Sequence, residues 1–166
     1  IEYGFITGLG NGMSRNNLPE AIYHPIYFIA HIGSSLKPKT QHPIWGKCIV
    51  TFYNEPQVNW VVLREYESNE LSSRMEFGIN SGLKCMYPIL PNWYLYVSGG
   101  SGPHFFNTET VRQYKGFIFS DNFGVGAYFF SNKQWSLHVA FRLRHMSNIN
   151  IWMPNNGINT FNYHIG

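Results

Sequence analysis

His145 and Ser147 are the residues whose types and spacing could do chemistry together. They stand two apart at the end of an alternating segment. From Trp135 onward, Leu137, Val139, Phe141 and Leu143 share one phase, while Ser136, His138, Arg142 and Arg144 share the other. A period of two marks a strand with one apolar and one polar face. His145 and Ser147 continue the apolar phase. Positions i and i+2 of a strand lie on one face, so the imidazole can take the hydroxyl proton and make the oxygen a nucleophile. Such a pair at the end of an apolar stripe is out of place in a water-soluble hydrolase. It fits a stripe that faces lipid and a substrate that is itself a lipid.

The rest of the chain must build the wall that carries this pair. Eight strands are expected: Ile1–Gly10, Ala21–Ser34, Trp45–Asn54, Ser72–Met86, Trp93–Gly100, Tyr114–Phe130, Trp135–Ser147, and Ile158 to the C-terminus. Pro56 leaves the continuation of the third open. Asn11–Glu20 and Glu65–Leu71 read as loops, and Ser35–Ile44, Tyr87–Asn92, Ser131–Gln134 and Met153–Gly157 as turns. The fourth strand is the clearest test. Met75, Phe77, Ile79 and Leu83 alternate there with Arg74, Glu76, Asn80 and Lys84, and a closed barrel would pair those charges in its lumen.

Composition agrees. Of 166 residues, 17% are aromatic and only 13% charged, with 16 Gly and 9 Pro, which argues against an all-helical protein. No run approaches the roughly 18 apolar residues of a transmembrane helix. The expectation is all-β: one domain over residues 1–166, an eight-stranded antiparallel up-and-down transmembrane β-barrel. The chain opens directly on an alternating segment, so the expectation is that no signal peptide is present in it, either removed or never there, and it stops on a strand that reads as unfinished. The net charge of +3 is too mild and dispersed for a nucleic-acid partner. Ser98–Gly102 is glycine-rich but lacks the Lys-Ser/Thr and the helix of a phosphate loop. No His, Cys and carboxylate set has metal-ligand spacing. Cys48 and Cys85 fall in lipid-facing phases near the same end of neighbouring strands. Cross-strand bridges are often strained, so two free thiols are expected.

In a bacterial outer-membrane barrel the short turns are periplasmic. The Ser131–Gln134 turn then starts strand seven at the periplasmic side. The ten residues from Trp135 to His145 span roughly 25 Å after tilt, about the height of the apolar band. The pair would emerge at the outer interface, on the outside wall, where the lipid is lipopolysaccharide.

His145-Met146-Ser147-Asn148, followed by Pro154-Asn155-Asn156-Gly157-Ile158, resembles the signature of the lipid A 3-O-deacylases, the PagL-like outer-membrane esterases. Phe119-Ser120-Asp121 and the Gly124-Val125-Gly126 pattern extend the likeness over about residues 117–163. The resemblance implies a barrel in the bacterial outer membrane, a lipid A substrate and no cofactor. It implies Ser147 as nucleophile, His145 as general base, and Asn148 and Asn155 near the oxyanion. Two positions depart from the family pattern. Asn150 stands where a Gly is usual, and Asn159 stands where the family has its acid, a Glu. Asn can orient an imidazole but cannot offset imidazolium charge. Asn159 is nevertheless expected to be the direct partner of His145, because the loop 148–157 returns strand eight beside Ser147. Asp121, the chain's only Asp, falls opposite His145 if the turn lets Ser131 face Trp135, and opposite Leu143 one register over; in the first register it is a more distant source of charge. The bland reading makes His145 an interfacial histidine, Ser147 a strand-end hydroxyl and Asp121 a solvated charge. Trp45, Trp60, Trp93, Trp135 and Trp152 read as girdle residues. The reading that follows is an esterase removing an ester-linked acyl chain from lipid A. The alternatives are a structural or lipid-binding barrel with an impaired site, and a soluble lipocalin-like carrier. The soluble carrier requires Phe77, Ile79, Val139 and Phe141 to point inward.

Overall fold

The computed structural model describes residues 1–14, 17–36, 47–131 and 134–166. Eight strands follow one another: β1 (Glu2–Gly12), β2 (Tyr23–Leu36), β3 (Ile49–Arg64), β4 (Leu71–Leu90), β5 (Trp93–Phe106), β6 (Gly116–Phe130), β7 (Ser136–Ser147) and β8 (Ile158–Ile165). Each pairs antiparallel with its sequence neighbour, and β8 pairs with β1, so the sheet closes into a barrel. Closure leaves no sheet edge unpaired. Trp45 and most of the expected turn Ser35–Ile44 lie outside the described residues, as do two residues of the Ser131–Gln134 turn.

The alternation has the polarity of a barrel in lipid. Phe77, Ile79, Val139 and Leu143 are exposed and Phe141 is half-buried, whereas Glu76, Asn80, Lys84, His138, Arg142 and Arg144 are buried. The soluble-carrier arrangement is therefore the reverse of what is found. Buried charge needs partners, and the interior provides two sets. Glu76 bonds Arg144, His104, Tyr23 and Asn59. Glu55 takes Arg142 through both its guanidinium Nη atoms and bonds His31 at 2.8 Å. Gly78 makes room for the first set, since a Cβ there would lie 2.2 Å from the His104 ring. With this interior filled by side chains, the wall that carries the site is held rigid from within.

Five strands run further than the sequence pattern marks, β1 and β2 by two residues each and three by more. β5 continues through Ser98–Gly102 to Phe106, β4 passes Pro88, and β3 passes Pro56. Both prolines pair in register or at an irregularity, with Pro56 opposite Ile79 and Pro88 opposite Tyr94. The expectation of two free thiols is overturned: Cys48 and Cys85 form a disulfide, with Cα atoms 5.9 Å apart. Cys48 sits one residue before β3 and is buried rather than lipid-facing. The Cα separation of 5.9 Å is within ordinary bridging distance.

Candidate functional site

β7 ends in the pair. His145 is exposed and Ser147 half-exposed, in the phase of Val139 and Leu143. The opposite phase, Arg142 and Arg144, is tied to Glu55 and Glu76 in the interior. The inner salt bridges thus fix the strand whose outer face presents the reactive groups.

Each neighbouring strand adds one group beside His145. On β8 its cross-strand partner is Asn159, and Nδ1–H of His145 donates to Oδ1 of Asn159 at 2.7 Å. That bond fixes the tautomer with the proton on Nδ1 and leaves Nε2 as an acceptor. On β6 the cross-strand partner is Asp121. The Ser101 hydroxyl, from β5, donates to Asp121 Oδ1 at 2.5 Å. In Phe119-Ser120-Asp121 the two polar residues part company. Ser120 points inward and accepts from Arg144 Nε at 2.6 Å, while Asp121 is exposed.

Residues 148–157 shape the top of the site. Ile149 and Asn150 have φ of +54° and +60°. This left-handed conformation suits Gly and is tolerated by Asn, which accounts for Asn150 in place of the usual Gly. Gly157 has φ +67°, and a Cβ there would lie 2.8 Å from Cε1 of His145. The glycine therefore serves both the turn and the space beside the imidazole. Asn148 N–H donates to Asn155 Oδ1 at 3.0 Å, Asn148 Nδ2 to Trp152 O at 2.8 Å, and Asn155 Nδ2 to Asn150 Oδ1 at 2.8 Å. The two Asn residues singled out for the oxyanion are thus bonded to each other and hold the loop's shape. Residues 107–115 brace this loop from outside. Tyr114 N–H donates to Pro154 O and Asn156 N–H to Arg112 O, at 2.8 and 2.9 Å. Arg112 is fully buried, and its Nη1 donates to Met13 O at 3.2 Å. No pattern in the sequence pointed to this brace. Ser101 was missed too, because it falls one residue past the expected end of strand five at Gly100.

A groove of about 390 Å³ opens beside His145, lined by Asp121, Phe123, Leu143 and Asn159. Phe123 pairs with Leu143, and the next outward pair is Val125 with Phe141. These lead into a larger apolar groove of about 810 Å³ with Val139 and Tyr163. The imidazole of His145 lines the upper groove, and Ser147 follows it two residues along the strand.

A family model described as lipid A 3-O-deacylase (PagL) matches residues 40–166. Among solved structures the chain is similar to the one titled "Crystal structure of the outer membrane enzyme PagL", with a TM-score of 0.67 at 12% identity, covering 97% of this chain and 96% of that one. At that identity the likeness concerns the fold. No curated relative matches the chain.

Proposed function

Because the chain belongs to the lipid A 3-O-deacylase (PagL) family, we propose that it hydrolyses an ester-linked acyl chain of lipid A, using Ser147 and His145 on the outer wall of a barrel set in the bacterial outer membrane. The observation that carries this reading is the 2.7 Å bond between His145 Nδ1 and Asn159 Oδ1, which orients the imidazole two residues from Ser147 on the same outward phase of β7. Ser147 Oγ attacks the ester carbonyl and His145 Nε2 takes its proton. The imidazolium then gives that proton to the departing sugar oxygen. Water, deprotonated by the same nitrogen, releases the fatty acid from the acyl-serine. Asn155 is half-buried and has a second amide hydrogen available for the oxyanion, and Asn148 holds it in place through its backbone N–H. The apolar trough below takes the acyl chain.

Asn159 in the acid's place is the one observation that favours a different reading, an impaired barrel that binds lipid without cleaving it. Mass spectrometry of lipid A from cells with and without the protein tests the choice. The expected result is loss of one acyl chain, and loss of that effect in Ser147→Ala with the barrel still folded. Removing a nucleophile costs on the order of 10⁶-fold in a comparable unit. Undiminished deacylation by Ser147→Ala overturns the mechanism, and unchanged lipid A in cells making the intact protein selects the impaired barrel.

A further inference from the structure

Three connections meet at the end of the barrel that carries the candidate site, and one side chain ties them together. Arg112, between β5 and β6, is fully buried. A guanidinium out of water is costly unless its donors are used. Its Nη1 donates to Met13 O at 3.2 Å, across to the end of β1. The registered pairing of β1 with β8 stops at Gly12 opposite Thr160. Met13, one residue further, adds a last rung, since its N–H donates to Asn159 O at 2.7 Å. His145 Nδ1–H in turn donates to Asn159 Oδ1 at 2.7 Å. Three hydrogen bonds therefore run in series from Arg112 to the imidazole. Met13 also lines the groove beside His145, so a shift of this rung moves the ring and the groove wall together.

The rung needs holding. Among the described residues the β1–β8 seam is the shortest of the eight, running only from Thr7 opposite Ile165 to Gly12 opposite Thr160. Asn159 stands just past its end, and the ends of elements open most easily. Arg112 is placed to hold it because its own backbone is anchored. Thr110 Oγ1 accepts from the N–H groups of Arg112 and Gln113, at 3.2 and 2.8 Å, and Thr110 itself pairs with Glu65 just past β3. On the other side Gln113 bridges to Asn155. The guanidinium thus reaches Met13 from a fixed platform, and Asn155 and Asn159 are referred to one frame.

We propose that Arg112 is a positioning residue of the candidate site: by holding Met13 O it keeps the terminal β1–β8 rung closed, and through that rung it holds Asn159 where it orients His145. The effect on rate rests on the reading of Ser147 and His145 as an esterase; the effect on the imidazole does not.

The test uses the barrel refolded in detergent, with isotope-labelled histidine read by NMR at alkaline pH and the His145 signals assigned from His145→Gln. The wild type is expected to show His145 as the Nδ1–H tautomer alone, and Arg112→Met to show both tautomers. Should the methionine variant not refold, Arg112→Gln takes its place, because its amide is too short to reach Met13 O. On a lipid A substrate the same variant is expected to lower kcat by about 10- to 100-fold and to keep KM within about twofold, the pattern of a misplaced reacting group. Arg112→Lys, which keeps a donor for Met13 O, should recover most of that loss. In an Asn159→Ala background Arg112→Met should cost little more, because members of one hydrogen-bond series couple. Both tautomers already present in the wild type, a tautomer unchanged by the variant, or losses that simply add in the double variant overturn the proposal and leave Arg112 a structural residue of its loop. Wild-type hydrolysis by Ser147→Ala, or none by the intact protein, overturns the esterase reading instead, and the tautomer still decides the role of Arg112.

Discussion

Asn159 accepts a hydrogen bond from His145 at 2.7 Å, at the position where the family pattern has a carboxylate. The bond supplies orientation and tautomer without negative charge. Asn159→Glu should therefore raise kcat, by about 10-fold or more if a charged acceptor strengthens the bond by its usual margin. Asn159→Ala should lower it. Asp121 is opposite His145 on the other side, and Asp121→Asn should lower the rate as well. The check is kcat measured for the three variants on one lipid A substrate. Unchanged rates in all three would mean that Ser147 and His145 work unaided or not at all.

Gly157 offers a steric test of the same imidazole. A methyl group there would sit 2.8 Å from His145 Cε1, on a backbone with φ +67°. Gly157→Ala should displace the ring or the turn and cut kcat/KM by at least about tenfold, since small misplacements of a reacting group are expensive. The strands do not depend on this residue, so the variant should keep the gel shift of a folded, heat-modifiable barrel. Full activity in Gly157→Ala would show that the ring has room to move.

Buried pairs in the interior predict stability rather than activity. Glu76 binds Arg144 with both side chains essentially inaccessible. Glu76→Leu leaves an uncompensated guanidinium and should cost about 3–5 kcal/mol. Adding Arg144→Leu should recover much of that loss. Urea unfolding midpoints of the single and double variants measure it, and a double variant no better than the single would mean that His104, Tyr23 and Asn59 hold Glu76's place in the network on their own.

Most of the architecture was legible in the chain because the signal repeats. Each strand restates the same alternation, so Phe77 against Glu76 and Val139 against Arg142 point to one conclusion. The register that sets Asp121 beside His145 was one of two that the short turn after β6 allowed, and the pairing of β6 with β7 decides between them. What was not legible depends on pairings the sequence does not spell out. Ser101 fell just outside the expected strand because Gly99, Gly100 and Gly102 weaken the alternation there. Cys48 seemed to share a lipid-facing phase, but it lies just beyond the ladder, where phase no longer decides direction. The brace between residues 107–115 and 148–157 uses main-chain groups of Arg112, Tyr114, Pro154 and Asn156, and main-chain bonds leave little trace in residue type.

Arg144 and His145 are consecutive, yet they belong to different problems. The first secures the barrel through Glu76, and the second, under the proposed function, handles an ester on the far side of a wall one residue thick. Selection on substrate and selection on folding therefore act on alternate letters of the same strand. The odd positions of β7 can drift toward a new lipid without disturbing the even ones, and an inactive descendant could keep an intact barrel for a long time after its chemistry had gone.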